Sequence, residues 1–388
     1  MWVATLVAVI GLLSVGIITQ LTGYRMGGSI TVPVLAVYTL KNFVMLPVFL
    51  SSAAAAFVGL WILRRRTLLF GRDELVAAMV IGTIVPVITL FFVLQLGIDV
   101  GVIAFLGSIL PGLAAYNYHR IKPEYRRNDI LASVGLFIAL TTLGWVLVSN
   151  GFARQFGTLT PPILFSSTAD VAIFKGVAVS LDPESVILPR EIVAGLFAGG
   201  LVLSERLRDR FGVRVGIIGA VLLAIYALAS YWLVILYVLL LALSFGFIQL
   251  SNYLTLRYGR VLLGVTVAVA IFATVSLTFV LPIERGLSAF FTAILAGVGA
   301  YNAHASAPFE RRLVVPLQIV VFVPALIVAR LFSSPQPRGF PQELTLPVLG
   351  IAAVLWVVAL GIAYWYTVSP PSEEEVLSAS ILSEGGET

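Results

Sequence analysis

The sequence predicts an all-α, polytopic membrane protein of two parallel repeats, each of about six membrane segments, followed by one C-terminal helix. Three observations carry that expectation. Of 388 residues, 60% are hydrophobic and 11% are charged, and the mean hydropathy is +1.05. A soluble surface calls for roughly 25–35% charged residues. The apolar stretches are long: "VATLVAVIGLLSVGII", "LVAAMVIGTIVPVITLFFVL" and "LPVLGIAAVLWVVALGIAYWY" all approach or exceed the span of a bilayer helix, which needs about 20 residues. Barrel strands would be about ten residues long and would alternate polar with apolar positions. The third observation is a recurrence. "AYNYHRIKPEYRR" at 115–127 returns as "AYNAHASAPFERR" at 300–312, and these two stretches hold the only two histidines.

The recurrence extends beyond the histidines. At an offset of 185 positions, Tyr116, Asn117, His119, Pro123, Arg126 and Arg127 fall on Tyr301, Asn302, His304, Pro308, Arg311 and Arg312, with Gly112 on Gly297 and Asp99 opposite Glu284. With a small shift of register, "TLLFGR" at 67–72 lies opposite "TLRYGR" at 255–260, and Gly23–Gly27 lies opposite Gly212–Gly216. The expected organisation is a first repeat at 1–149, an extracytoplasmic linker at 150–187, a second repeat at 188–332 and a last helix at 344–367. The polar, acidic tail at 368–388 reads as disordered.

Charge placement orders the elements. The clusters "RRRTLLFGRDE", "HRIKPEYRRND", "SERLRDRFGVR", "RYGR" and "HASAPFERR" belong on the cytoplasmic side by the positive-inside rule. Between neighbouring clusters there is apolar sequence for two passes. The first repeat then has segments near 1–20, 29–41, 43–62, 74–96, 101–118 and 129–149. The second has counterparts near 188–204, 214–229, 231–250, 260–282, 286–303 and 313–332. Thirteen passes result, in a cell (plasma) membrane, with the N-terminus outside and the C-terminus in the cytoplasm. The N-terminal stretch lacks a basic region and a small-residue cleavage signal, so it reads as a first span. An even number of segments per repeat makes the repeats parallel. Pro33, Pro111, Gly112 and Gly297 mark segments that look broken, as half-helices or re-entrant hairpins lining a path. A kinked ordinary helix is the alternative.

The polar residues narrow the chemistry. Cysteine is absent, so thiolate nucleophiles and cysteine-ligated metals are excluded. Phosphate-binding loops, nucleophile elbows and zinc-protease motifs are missing. No catalytic residue, metal or cofactor is expected. His119 and His304 end equivalent segments, where capping of helix carbonyls is the plain role; a proton-carrying or polyanion-contacting role is the sharper one. Asp99 and Glu284 form an outer acidic pair, suited to helix starts. Arg72, Arg260, Arg126, Arg127, Arg311 and Arg312, with Asn117 and Asn302, mark a cytoplasmic rim able to hold a polyanion or an acidic partner. Positive-inside sorting explains the same arginines and the net charge of +5 without nucleic acid. Membrane lipids are then the only surroundings that composition demands.

"LLFGRDELVAAMVIG" and "GVIAFLGSILPGLAAYNYHR" resemble the CapC (PgsC) family, membrane subunits of poly-γ-glutamate capsule biosynthesis. The likeness rests on Thr22-Gly23, Val32-Pro33, Phe70-Gly71-Arg72, Gly101-Val102-Ile103, Pro111-Gly112-Leu113 and Asn117. The chain departs from it in lacking the acidic residue before Thr22 and in having Ala296 opposite Pro111. The resemblance implies an accessory subunit of an amide-ligase complex. Its partner would be a cytoplasmic, ATP-dependent, Mur-ligase-like enzyme of the CapB/PgsB type, with other capsule-biosynthesis subunits alongside. The alternatives are a secondary transporter for a small or anionic solute and, behind it, a membrane enzyme using the His-Asn-Arg clusters.

Overall fold

The structure is a computed structural model that describes residues 1–67, 72–95, 109–179, 186–213, 216–255 and 259–368. Every regular element among them is helical. The first half runs through α1 (Trp2–Thr22), α2 (Thr31–Lys41), α3 (Met45–Arg66), α4 (Arg72–Gln95), α5 (Ile109–His119) and α6 (Pro123–Leu147). Two short helices follow, α7 (Asn150–Phe156) and α8 (Asp170–Lys175). The second half runs through α9 (Arg190–Phe211), α10 (Ile217–Ala229), α11 (Tyr231–Thr255), α12 (Arg260–Leu277), α13 (Gly286–Ala305) and α14 (Arg311–Phe332), and α15 (Leu346–Val368) closes the chain.

Among the described residues, eight helices are long and apolar enough to cross a bilayer: α1, α3, α6 and α11 to α15. They leave large apolar side chains uncovered, such as Val354 at 63% and Trp365 at 71% exposure. Only lipid makes such a surface tolerable, so this is a multi-pass membrane protein. Two of the other expected passes differ from full spans for local reasons. The 11-residue α2 rises about 16 Å, half of the hydrocarbon core. Gly28 precedes it with φ 116° and extended Asn42 ends it. Nine of its residues are buried, so it is enclosed by protein. Pro33 is its third residue, where a missing N–H costs nothing, and the helix continues unbroken beyond it. α9 runs past the apolar segment into Glu205, Arg206, Arg208, Asp209 and Arg210.

Gly297 needs a correction. It lies inside the unbroken α13, where a Cβ would stand 2.8 Å from Val267 Cα. It brings α12 and α13 into close approach and breaks nothing. Gly112 does the same for α5 against α4, because a Cβ there would stand 2.3 Å from Ala78 O. Pro111 is buried within α5, and the segment before it, 101–108, lies outside the described residues.

Helices α3, α4 and α5 pack on one another, as do α11, α12 and α13. α2 packs on α6, and α10 on α14. Between the halves, α1 lies along α12 and α4 meets α9. One apolar core therefore draws Leu12 from α1, Leu140 from α6, Val267 from α12 and Phe290 from α13.

Residues 150–179 of the linker are folded against both halves. Ile163, Leu164 and Phe165 are buried in the shared core. Lys41 Nζ donates to Ile163 O at 3.3 Å and Thr168 Oγ1 at 2.6 Å. The Asp170 carboxylate accepts from Phe43 N at 2.7 Å, and Lys175 Nζ donates to Val148 O at 2.9 Å and to Trp145 O. Gly286, the first residue of α13, is pressed so closely on this segment that a Cβ would stand 2.6 Å from Pro161 O.

Candidate functional site

The opposite end of the bundle holds a polar junction between the halves. It begins where α1 stops: Gly23 adopts φ 74° and its N–H bonds Thr19 O at 2.9 Å. The chain then turns through Met26 at φ 49°, Gly27 at 65° and Gly28 at 116°. Met26 is fully buried, and a left-handed conformation costs a side-chain-bearing residue about 1–2 kcal/mol. The surroundings impose it. Asp129 Oδ1 accepts from Arg25 N at 2.6 Å and Met26 N at 2.8 Å. Asp129 itself is 0% exposed, and its Oδ2 has no hydrogen-bond partner.

This turn lies against α5. A Cβ on Gly28 would stand 3.0 Å from Asn117 Nδ2 and 3.1 Å from Thr31 Oγ1, so the approach needs glycine there. Asn117 is buried and fully used: Nδ2 donates to Leu113 O at 2.8 Å and Gly27 O at 3.2 Å. Its Oδ1 accepts from Arg260 Nη2 at 3.0 Å. Arg260 heads α12, just after Gly259 at φ 73°. Its carbonyl accepts from Ser29 Oγ at 3.3 Å, while its Nη1 is buried without a partner. Arg25, Arg120 and Asp129 all lie within electrostatic range of Arg260. Arg120 is exposed, and its Nη1 donates to Tyr116 Oη at 2.5 Å.

The histidines sit in different settings. His119 stacks on Phe57 at 4.1 Å between ring centroids, and its Nε2 lies 2.8 Å from Phe57 O in α3. His304 is half-buried, and its Nδ1 is buried without a partner. Neither caps its own helix end; arginines do that. Arg126 donates from Nη2 to His119 O at 3.4 Å and from Nε to Ile121 O at 3.2 Å. Arg311 makes the same pair of bonds, to His304 O at 3.0 Å and Ser306 O at 3.3 Å. A guanidinium with a rigid fork of donors covers two carbonyls better than one imidazole nitrogen can. No group of three or more metal-ligating side chains occurs among the described residues.

The remaining candidates scatter. Arg127 and Arg312 are exposed, and the Arg312 guanidinium stands 5.9 Å from the Tyr366 ring centroid. Asn302 lies near the start of α10, where a Cβ on Gly216 would be 3.9 Å from its Nδ2. The backbone of Arg72 opens α4, while its side chain lies outside what the structure describes. Asp99 lies outside the described residues. Glu284 is on the far side of the bundle, paired with Arg338 at 2.8 Å.

Of the ten rim candidates, the structure brings Asn117 and Arg260 into direct contact. Sequence reasoning placed Arg120 in the basic rim but missed the neighbours Arg25, Ser29 and Asp129. The available signal was Asp129, a carboxylate entering an apolar helix right after Arg126-Arg127-Asn128.

The model of the family described as Capsule biosynthesis CapC matches residues 10–127. That stretch carries the turn, Asn117, His119 and the Arg126-Arg127 pair. No curated protein matches the chain. No solved structure matches it.

Proposed function

From the match of residues 10–127, which supports membership of the capsule-biosynthesis CapC family, we propose that this membrane subunit serves a poly-γ-glutamate synthase and export complex. The family implies the capsule-biosynthesis membrane role; the polymer and the partner are our reading. The partner is a cytoplasmic, Mur-ligase-like, ATP-dependent ligase, which activates a carboxylate as an acyl phosphate for attack by a glutamate amine. The subunit holds no catalytic group of its own and supports polymerisation and outward passage. The CapC match carries the reading.

Two further features support it. The Arg25, Arg120 and Arg260 cluster offers cations to an acidic polymer at the face expected to be cytoplasmic. The identical caps of Arg126 and Arg311 support a tandem duplication, with repeats at 1–149 and 188–332 and the linker outside. In that arrangement the N-terminus faces outward and the C-terminus faces the cytoplasm of the producing cell.

The test is genetic and biochemical. Deletion is expected to abolish extracellular poly-γ-glutamate, and tagged protein at native expression is expected to bring down an ATP-dependent ligase. Unchanged polymer together with no ligase sinks the reading. A second reading, a secondary transporter, draws on the buried Asp129, since ionisable groups inside spans mark solute or proton paths. Uptake of small anions by proteoliposomes of the pure protein would favour it, and complete inactivity would dismiss it.

A further inference from the structure

The junction at the head of α12 gathers more positive charge than it compensates. Among the described residues, Arg260, Arg25 and Arg120 supply three cations there and Asp129 one anion. That carboxylate gives Arg260 no hydrogen bond: its Oδ1 fastens the Arg25-Met26 backbone and its Oδ2 meets no donor. Asn117 fixes the Arg260 guanidinium through Nη2 and leaves Nη1 buried without an acceptor. A buried cationic donor left unsatisfied is costly, and like charges in low dielectric raise the cost further. The first turn of α12 adds to the field. No side chain caps its N-terminus, and its unpaired N–H groups carry the positive end of the helix dipole.

We propose that this junction is an oxyanion-binding site, with Arg260 as its inner ligand, Arg25 and Arg120 as its flanks, and Asn117 as the positioning residue. The ligand chemistry is a carboxylate or phosphate oxygen pair, which a guanidinium meets with two parallel donors. Arg120 is exposed, so the site opens to the surface. Arg260 comes from the second half while Arg25, Asn117 and Arg120 come from the first, so an occupant would tie the halves together. Naming the occupant as a carboxylate of an acidic polymer rests on the reading above; the oxyanion site itself does not.

The experiment titrates the full-length protein in nanodiscs of neutral lipid with three probes: γ-linked glutamate oligomers, inorganic phosphate, and vesicles containing phosphatidylserine. Saturable, salt-sensitive binding of the oligomers is expected. Arg260→Gln should weaken it by about tenfold or more, the loss of one charge-assisted contact. Arg120→Gln, at an exposed position that does not endanger folding, should weaken it several-fold. Arg154→Gln, exposed on α7 at the other end of the bundle, should leave it unchanged. Phosphate binding that responds to these variants, without oligomer binding, keeps the site and overturns the polymer as its occupant. Vesicle binding alone, with the same sensitivity, assigns the occupant to a lipid headgroup and likewise overturns the polymer. Binding of no probe, or binding indifferent to both Arg260→Gln and Arg120→Gln, overturns the site. Loss of extracellular polymer on deletion is read separately, so the two proposals fail independently.

Discussion

Arg260 donates from Nη2 to Asn117 Oδ1 at 3.0 Å, joining side chains 143 positions apart in the chain. Both partners are held before they meet. Asn117 is anchored by two backbone carbonyls, and the Arg260 carbonyl accepts from Ser29. The contact is thus a built connection between the halves at the end of the bundle opposite the linker.

Replacing Asn117 with Leu removes both donors and the acceptor while keeping the volume similar. The Arg260 guanidinium then loses its Asn117 acceptor, while the Gly27 carbonyl keeps only its bond from Thr31 Oγ1. A loss of about 2–4 kcal/mol is expected, read as a lower midpoint of thermal unfolding in detergent.

Asp129 separates charge from geometry. Asp129→Asn retains an oxygen for the Arg25 and Met26 amides and should cost about 1 kcal/mol, whereas Asp129→Ala abandons both amides and should cost about 3 kcal/mol. Equal unfolding midpoints for the two variants would contradict the role given to Oδ1.

Glycine substitutions should divide by contact. Gly112→Ala drives a Cβ to within 2.3 Å of Ala78 O and should prevent recovery of folded protein from membranes. Gly135→Ala meets nothing within 4 Å in the middle of α6. It should leave the protein unchanged or more stable by about 0.5–1 kcal/mol.

The two histidines should respond unequally. His119→Ala forfeits the Phe57 stack and the bond to Phe57 O, with an expected cost of about 1–2 kcal/mol. His304→Ala loses no hydrogen bond through Nδ1 and should cost about 0.5 kcal/mol or less. The comparison of their melting curves checks this.

The membrane class was legible because hydropathy is a property of each segment alone. Length was harder to read. The turn at Gly27-Gly28 and the extended Asn42 shorten α2 to 11 residues, and burial by distant helices, which no local pattern reveals, lets so short a helix persist. Gly297 looked like a breaker because glycine has two uses, freeing the backbone and admitting a neighbour; only the nearness of Val267 shows the second. The arginine rim was legible as composition, but its partition was not. Arg126 and Arg311 close helix ends, whereas Arg260 reaches the other half. Asp129 escaped notice because it has no acidic counterpart in the recurrence: the position opposite it is Val314. Symmetry drew attention to what the halves share, and the junction is built partly from what they do not.

The strap formed by residues 150–179 ties the two halves at one end of the bundle. Through Lys41 it grips the first half, and through Pro161 beside Gly286 it bears on the second. At the other end the halves meet through a polar contact that water or an anion can replace. Parting the halves at the basic end would therefore have to break the Arg260–Asn117 bond and also unpack α1 from α12.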